Sequence, residues 1–345
     1  MLYLIPPEEL AEALPGEPRY RADQLRRWLY ETPVLGSEAM KNLPARLRTE
    51  IDSRHWPFAV DLEQSADAGT TRKWLFRTPD GASIESVLMG YPRRTTLCIS
   101  SQAGCAMACT FCATGQFGFE RHLEPGEIVA QVAYANAHIR EHGLENSPQR
   151  VTNIVFMGMG EPLANFSRVN EALRRLIEVM GISARSITVS TVGVVPGIRR
   201  LTEAPWKVNL AVSLHAADDQ LRDELVPLNK RYDLANVIEA CRRYRDEKGR
   251  RISIEWALID GKNDTVDQAR KLAAIAWDLR AHVNVIALNQ TPLSQDAPPS
   301  PRQVQAFMTA LTDAGANATL RDTRGRDIDA ACGQLRVRSA TSPNA

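Results

Sequence analysis

Three cysteines, Cys105, Cys109 and Cys112, fall in the stretch GCAMACTFC with the order C-x3-C-x2-C, in a loop bounded by Gly104 and Gly115. Three thiolates are one short of a closed structural zinc site, which takes four ligands. They suit a four-iron cluster in which one iron is left open to a small molecule; three buried thiols, or a zinc ion completed by a distant His, are the other readings the spacing allows. Cys98 in TTLCISS reads alone as a small core residue, Cys332 beside Ala331 as an inert thiol, and Cys241, in register with Leu234, Val237 and Ile238, as helix core. Glu85 in ASIESVLM is either a solvent-facing strand carboxylate or an acid/base group whose apolar neighbours raise its pKa.

The elements that must position these residues follow from hydrophobic period. From about residue 90, six β-branched runs (RTTLCIS, VTNIVFM, RSITVSTV, KVNLAVSL, RISIEWALI and HVNVIAL) alternate with amphipathic stretches such as EPGEIVAQVAYANAHIREHG and DTVDQARKLAAIAWDLR. That alternation predicts an α/β fold, a parallel sheet with crossover helices. Six strands are too few for a closed eight-stranded barrel, so a partial six-stranded βα barrel is expected over 91–338. Residues 1–60 show helical patterns without βα alternation and are expected to form a helical accessory domain. Residues 61–90 read as a hairpin bridge, with Pro79, Asp80 and Gly81 turning between two half-buried strands, and the polar tail 339–345 as frayed.

Bulk properties narrow the function class. A chain of 345 residues with 44% hydrophobic content buries a full core, and 42 Lys and Arg against 41 Asp and Glu leave a net charge of +1. Nucleic-acid binding must then use a local patch, for which the Arg residues of YRADQLRRWLYE and RDTRGRD are candidates beside the plainer reading of solvated faces. The N-terminus lacks the basic and apolar regions of a signal peptide, and no 18-residue apolar run is present, so a soluble, cytosolic protein with no membrane contact is expected. In that compartment six cysteines read as metal-binding or catalytic before disulfide-forming.

The segment CAMACTFC, with Phe111 before its last cysteine, resembles the signature of the radical SAM superfamily. The resemblance implies a [4Fe-4S] cluster on Cys105, Cys109 and Cys112, its unique iron chelated by S-adenosyl-L-methionine (SAM). GMGEPLANF, STVGVVPGI, SLHAADD and RGRDIDAACGQL extend the likeness, from about Tyr20 to Leu335, to the RlmN/Cfr family of adenine methyltransferases. That family implies methylation of adenine carbon 2 in 23S rRNA, at the peptidyl transferase centre, and of an anticodon-loop adenine in some tRNAs. Carbon 8, the position of the antibiotic-resistance branch, is the alternative within the family. Carbon 2 is electron-poor and does not attack a sulfonium methyl as an ordinary nucleophile would, so a carbon radical is required.

Residue roles carry over by motif. One SAM methylates Cys332; a second, cleaved to a 5'-deoxyadenosyl radical, takes hydrogen from that methyl, and the carbon radical adds to adenine. Glu85 matches the proton acceptor, and Cys98 the thiol that releases the product by forming a disulfide with Cys332. Gly160, Glu161, Ser190, Ser213, Leu214, His215 and Asn289 match the SAM contacts, although His215 alone would read as a satisfied core histidine. The family has Pro after the Asn where this chain has Gln290. An electron donor such as flavodoxin or ferredoxin and a monomeric state are also expected. The alternative from another class is a non-catalytic iron-sulfur RNA-binding redox sensor, which would need neither Cys98 nor Cys332.

Overall fold

The computed structural model of the chain describes residues 1–291, 294–322, 324–331 and 333–335. The expectations for Cys332 and for the tail 339–345 lie outside the described residues. Twelve described strands, β1 (Ala59–Ala66), β2 (Thr71–Arg77), β3 (Ser83–Tyr91), β4 (Arg94–Cys98), β5 (Gln102–Gly104), β6 (Phe119–His122), β7 (Asn153–Phe156), β8 (Ile187–Thr191), β9 (Asn209–Ser213), β10 (Ile252–Leu258), β11 (His282–Ala287) and β12 (Asn317–Leu320), form two sheets. The larger has the order β1-β2-β3-β4-β7-β8-β9-β10-β11-β12. Its first four strands pair antiparallel, and β4 through β12 pair parallel.

All six runs read from the sequence are strands of this open βα barrel, and β12 adds a seventh parallel member. Alternation along each strand divides two chemistries. Leu97, Ile154, Val189, Leu210, Ile254 and Val283 face the helices and are fully buried. Each such side chain contributes on the order of 1.5–3 kcal/mol by leaving water. The opposite face carries Cys98, Ser190, Ser213 and Glu255; Ser213 pairs with Glu255, and Glu255 with Asn284. The wall pointing into the barrel is therefore the chemical one.

The described α-helices are α1 (Arg19–Arg26), α2 (Ala45–Asp52), α3 (Ala113–Gln116), α4 (Pro125–His142), α5 (Phe166–Arg174), α6 (Val195–Glu203), α7 (Asp219–Leu225), α8 (Leu234–Lys248), α9 (Val266–Asp278) and α10 (Pro301–Asp313), with short 3-10 and π turns between them. Their starts are chemically marked. Glu124 and Glu127 close a capping box on α4, Ser300 and Gln303 one on α10, and Asp218, Asp233 and Thr265 cap α7, α8 and α9. Helix α4 is buried nearly all round because the N-terminal segment covers it: a Cβ on Gly126 would stand 2.0 Å from the carbonyl oxygen of Tyr3. An aromatic seam joins that segment to the sheet, with Trp56 stacked on Tyr3 at 5.2 Å and Phe58 against Phe76 at 4.1 Å.

The hairpin turns at Pro79–Gly81 as read, but its strands are not half-buried. Strand β2 is covered on both faces through Trp74–Phe76, and β3 through Ser83–Leu88. Helix α4 packs on one face, where Ser86 Oγ donates to Gln131 at 2.6 Å, and the C-terminal segment packs on the other, where Lys73 Nζ donates to Ile328 O.

Candidate active site

The cysteine loop is built at the carboxyl end of β4, pinched by the small β5–β6 hairpin. Gly104 has φ +71, and a Cβ there would stand 2.1 Å from Gly118 O, so only glycine lets the hairpin close. Cys105 N–H donates to that same carbonyl at 2.7 Å, and Thr110 N–H to Leu225 O at 3.2 Å. The loop then runs into α3, whose Ala113 N–H donates to Gly333 O at 2.8 Å and whose Thr114 Oγ1 donates to Leu335 O at 2.7 Å. The residues just after Cys332 in sequence are thereby fastened to the cysteine loop.

Cys105, Cys109 and Cys112 line one side of a cleft. Burial pushes the Cys105 thiol up to about 12 and the Cys109 thiol well above its ordinary value, with the neighbouring thiols adding to both. Neither is a free thiolate nucleophile at neutral pH; a coordinated cation is what would deprotonate them.

Across the cleft stand Gly160, Glu161, Ser190, Ser213, His215 and Asn289. Gly160 has φ +98, and a Cβ there would lie 2.5 Å from Gln102 Cβ, so the loop after β7 approaches Gln102 by backbone alone. Gln102 Oε1 in turn accepts the Glu161 N–H at 2.8 Å. Glu161 is held through both carboxylate oxygens, which accept the amides of Leu163 and Val192 at 2.9 Å. Burial nevertheless raises its pKa to about 7, the backbone hydrogen bonds opposing.

His215 sits at φ +59, its Nδ1 accepting the Ala257 N–H at 2.9 Å and its ring packed edge-on against Phe111 with centroids 4.5 Å apart. Burial, with Arg222 nearby, lowers its pKa to about 3. It is a neutral imidazole carrying its proton on Nε2. Leu214 differs from the other expected contacts: it is buried and does not line the cleft, and its carbonyl accepts from Arg222 Nε at 3.1 Å. Gln290 offers its carbonyl to Gln334 Nε2 at 3.2 Å, a main-chain contact that Gln or Pro at this position equally allows.

A second cavity adjoins the first and shares Met157, Ile286, Asn289 and Leu335 with it. Cys98 lines it, together with Tyr91, Arg321, Arg324 and Ala331. Glu85 is not solvent-facing. It is 3% exposed on β3, and its Oε1 forms an ion pair with Lys73 Nζ at 3.0 Å. Its ion pair with Lys73, and not an apolar wall alone, shapes its surroundings. Cys241 is wholly buried on α8, as its register predicts.

Sequence reasoning missed three residues. Glu255 lines the first cleft, accepting from Asn284 Nδ2 at 2.8 Å and pairing with Arg321 at 3.3 Å. Arg222, fully buried, donates to Leu214 O, Val192 O and Asn229 Oδ1 and so ties the loops after β8 and β9. Lys73 completes the set. An acid inside ISIEWALI and a lysine inside TRKWLF, each interrupting an otherwise buried strand, were the available signals.

A radical SAM superfamily model matches residues 99–273, and a model of the ribosomal RNA large subunit methyltransferase N-terminal domain matches residues 9–55. The crystal structure of a radical SAM methyltransferase from Sphaerobacter thermophilus superposes with a TM-score of 0.90 and 48% identity, covering 97% of this chain and 98% of that one. Fold and cysteine loop thus define a radical SAM enzyme. A protein of Salinispora tropica described as a probable dual-specificity RNA methyltransferase RlmN is 50% identical over 327 residues, 93% of this chain and 88% of its own. One so described from Mycolicibacterium smegmatis is 49% identical over 336 residues, 93% and 90% of the two chains. Within the radical SAM class, the chain belongs to the RlmN family.

Membership of the superfamily implies SAM and a [4Fe-4S] cluster, and the residues present fit both. Among the described residues no three Cys, His, Asp or Glu side chains converge on a single metal ion. A mononuclear zinc site would need its thiolates drawn in to about 2.3 Å around one centre. Three thiols spread along one cleft wall match a larger, polynuclear group, and the polar groups opposite match an amino acid and a nucleoside.

Proposed function

We propose that this chain methylates carbon 2 of an adenine in 23S rRNA at the peptidyl transferase centre, and an anticodon-loop adenine in some tRNAs, with the methyl passing through Cys332. What supports the reading is that Cys98 and Ala331, the residue before Cys332, line one cavity, and that this cavity is continuous through shared wall residues with the cleft of the three thiols. When bound, the cluster and SAM supply an electron, a methyl group and a hydrogen-abstracting carbon radical, two SAM per turnover on this reading.

Every other part falls to side chains and backbone of the chain itself. Cys105, Cys109 and Cys112 hold three irons. Gly160 lets backbone close on the amino-acid moiety of SAM, and the Glu161 carboxylate accepts from its ammonium. Ser190, Ser213 and Asn289 satisfy hydroxyl and carboxylate oxygens, and His215 closes that wall as a neutral ring. Cys332 carries the methyl carbon to adenine. Glu85 accepts the proton lost from carbon 2, and the one electron left over from radical addition would return to the cluster. The Cys98 thiol attacks the Cys332 sulfur as the carbon–sulfur bond breaks; the freed methylene carbon takes up the proton the thiol gives up, leaving a disulfide and methylated RNA. An adenine in structured RNA must be splayed out of its stack to meet Cys332. On this reading the helical region 1–60 contacts RNA, a small donor such as flavodoxin or ferredoxin feeds the cluster, and the enzyme works as a cytosolic monomer.

The test is to react anaerobically reconstituted protein with reductant, SAM and unmethylated 23S rRNA, then read the nucleosides by mass spectrometry. 2-Methyladenosine is expected. 8-Methyladenosine alone would make this a resistance enzyme, and no methylation beside an intact cluster would favour the redox sensor.

A further inference from the structure

Lys73 is an unusual side chain for the middle of a strand: it is 5% exposed, and its ammonium meets three oxygens. They are Glu85 Oε1 at 3.0 Å, Ile328 O at 3.2 Å and Asp329 O at 3.1 Å. An ammonium has three N–H donors, and a buried lysine persists only where they are met. One of these acceptors is the carboxylate assigned above as proton acceptor. The other two are main-chain carbonyls four and three residues before Cys332 in sequence.

The turn between β1 and β2 reinforces the same attachment. Gly325 N–H donates to Asp67 Oδ2 at 3.1 Å, and Arg324 Nη1 donates to Thr70 Oγ1 at 3.1 Å. Gly325 has φ +65, and a Cβ there would stand 2.7 Å from Ala330 Cβ, so the segment folds tightly over its dock. Lys73 is the one member of this group that also grips Glu85. Substituting the ends of the dock would loosen the segment; Lys73 joins it to the carboxylate assigned as proton acceptor.

We propose that Lys73 is a positioning residue that couples the charge of Glu85 to the placement of the Cys332-bearing segment, holding that segment firmly while Glu85 is ionised and easing it once Glu85 has taken a proton. The proposal rests on the roles given above to Glu85 and Cys332. With Glu85 ionised, the ammonium is compensated and its remaining donors fix the carbonyls of Ile328 and Asp329. When Glu85 becomes a neutral acid, the ammonium is left among neutral acceptors in a buried site, an arrangement that favours drawing in water or shifting the side chain. The hold on residues 328–329 weakens at the stage when the Cys332 sulfur must next meet Cys98.

The experiment compares K73M, K73R, E85Q and the double variant K73M/E85Q in the full, cluster-loaded protein. The double variant removes the Lys73 ammonium and the Glu85 carboxylate together, so neither is left without the other, which guards against simple failure to fold. The first readout is backbone hydrogen exchange at residues 325–331. Exchange there is expected to rise about tenfold in K73M and in E85Q, to stay near wild type in K73R, and to be no faster in the double variant than in K73M. The second is single-turnover transfer from methylated Cys332 to RNA, expected to fall at least thirtyfold in K73M with KM for RNA changed less than threefold, and to be partly restored in K73R.

Unchanged exchange in K73M overturns the proposal, and so does a rise in K73M without one in E85Q, because the tie to Glu85 would then be absent. Wild-type transfer rates in K73M overturn it as well. If wild-type protein itself methylates no RNA, the functional reading fails, while the exchange comparison still decides whether Lys73 couples the two.

Discussion

His215 Nδ1 accepts the main-chain N–H of Ala257 at 2.9 Å, which fixes the imidazole as the Nε2–H tautomer at the wall of the thiol-lined cleft. Burial holds its pKa at about 3 against an ordinary 6.5, so the ring does not titrate between pH 5 and pH 8. Side-chain nitrogen resonances of His215 are expected to remain those of one neutral tautomer across that range. A midpoint near 6.5 would show the ring to be solvated. Replacing it with Phe leaves the Ala257 N–H without its acceptor, for an expected loss of about 1–3 kcal/mol in urea unfolding.

Gly160 offers a sharper test of backbone need. G160A places a Cβ 2.5 Å from Gln102 at φ +98, whereas G181A meets open space at φ +71. Strain at positive φ costs about 1 kcal/mol in either variant, and the clash adds to it only at Gly160. G160A is expected to lose SAM binding at least tenfold, and G181A to bind as wild type, both measured by equilibrium dialysis on cluster-loaded protein.

Acid sensitivity should trace to the buried neutral histidines, of which His55 supplies one share and His215 another. His55 is 1% exposed, stacked 4.5 Å from Trp56, with neither ring nitrogen hydrogen-bonded, and burial lowers its pKa to about 4 against the weaker opposing pull of Asp52. A base depressed on folding binds its proton more readily when unfolded. Stability is therefore complete above pH 6.5 and declines as pH falls towards 4, by an amount of about 3 kcal/mol at the full difference. H55F should make that decline shallower by the share of His55, His215 keeping its own, in urea titrations at pH 7.5, 6, 5 and 4. An undiminished acid slope in H55F would assign it elsewhere.

Arg222 carries the loops behind the cleft, and its fork of donors cannot be copied by lysine. Asn229 Oδ1 accepts at 2.7 Å, Val192 O at 2.6 Å and Leu214 O at 3.1 Å. R222K is expected to lose roughly 2–3 kcal/mol of stability, since at least one buried acceptor goes unmet. It should also weaken SAM binding several-fold, because Val192 N–H is the donor that orients Glu161. Wild-type SAM affinity in a folded R222K would separate the two loops from the site.

Much of this was legible from residue order because its signals are local. The parallel strands are buried β-branched runs, the hairpin turn is Pro-Asp-Gly, and the three thiols lie within one loop. Strand β1 was missed because AVDLEQSA sits at the sheet edge with most residues exposed, so no buried face imposes alternation. Strand β12, NATL, is four residues long and takes its place only by pairing with β11. Lys73 and Glu255 escaped for a different reason. Lys73 meets the carbonyl of Ile328 255 residues away and Glu255 meets Arg321 66 residues away, so these contacts exist only once the barrel has closed.

The most direct measurement concerns Cys98. C98S protein, cluster-loaded and supplied with reductant, SAM and RNA, would be run on a denaturing gel and the RNA-bearing peptide sequenced by mass spectrometry. A covalent protein–RNA species joined through Cys332, with little methylated RNA released, is the predicted result. Release of methylated RNA from C98S at the wild-type rate, with no such species, would contradict it.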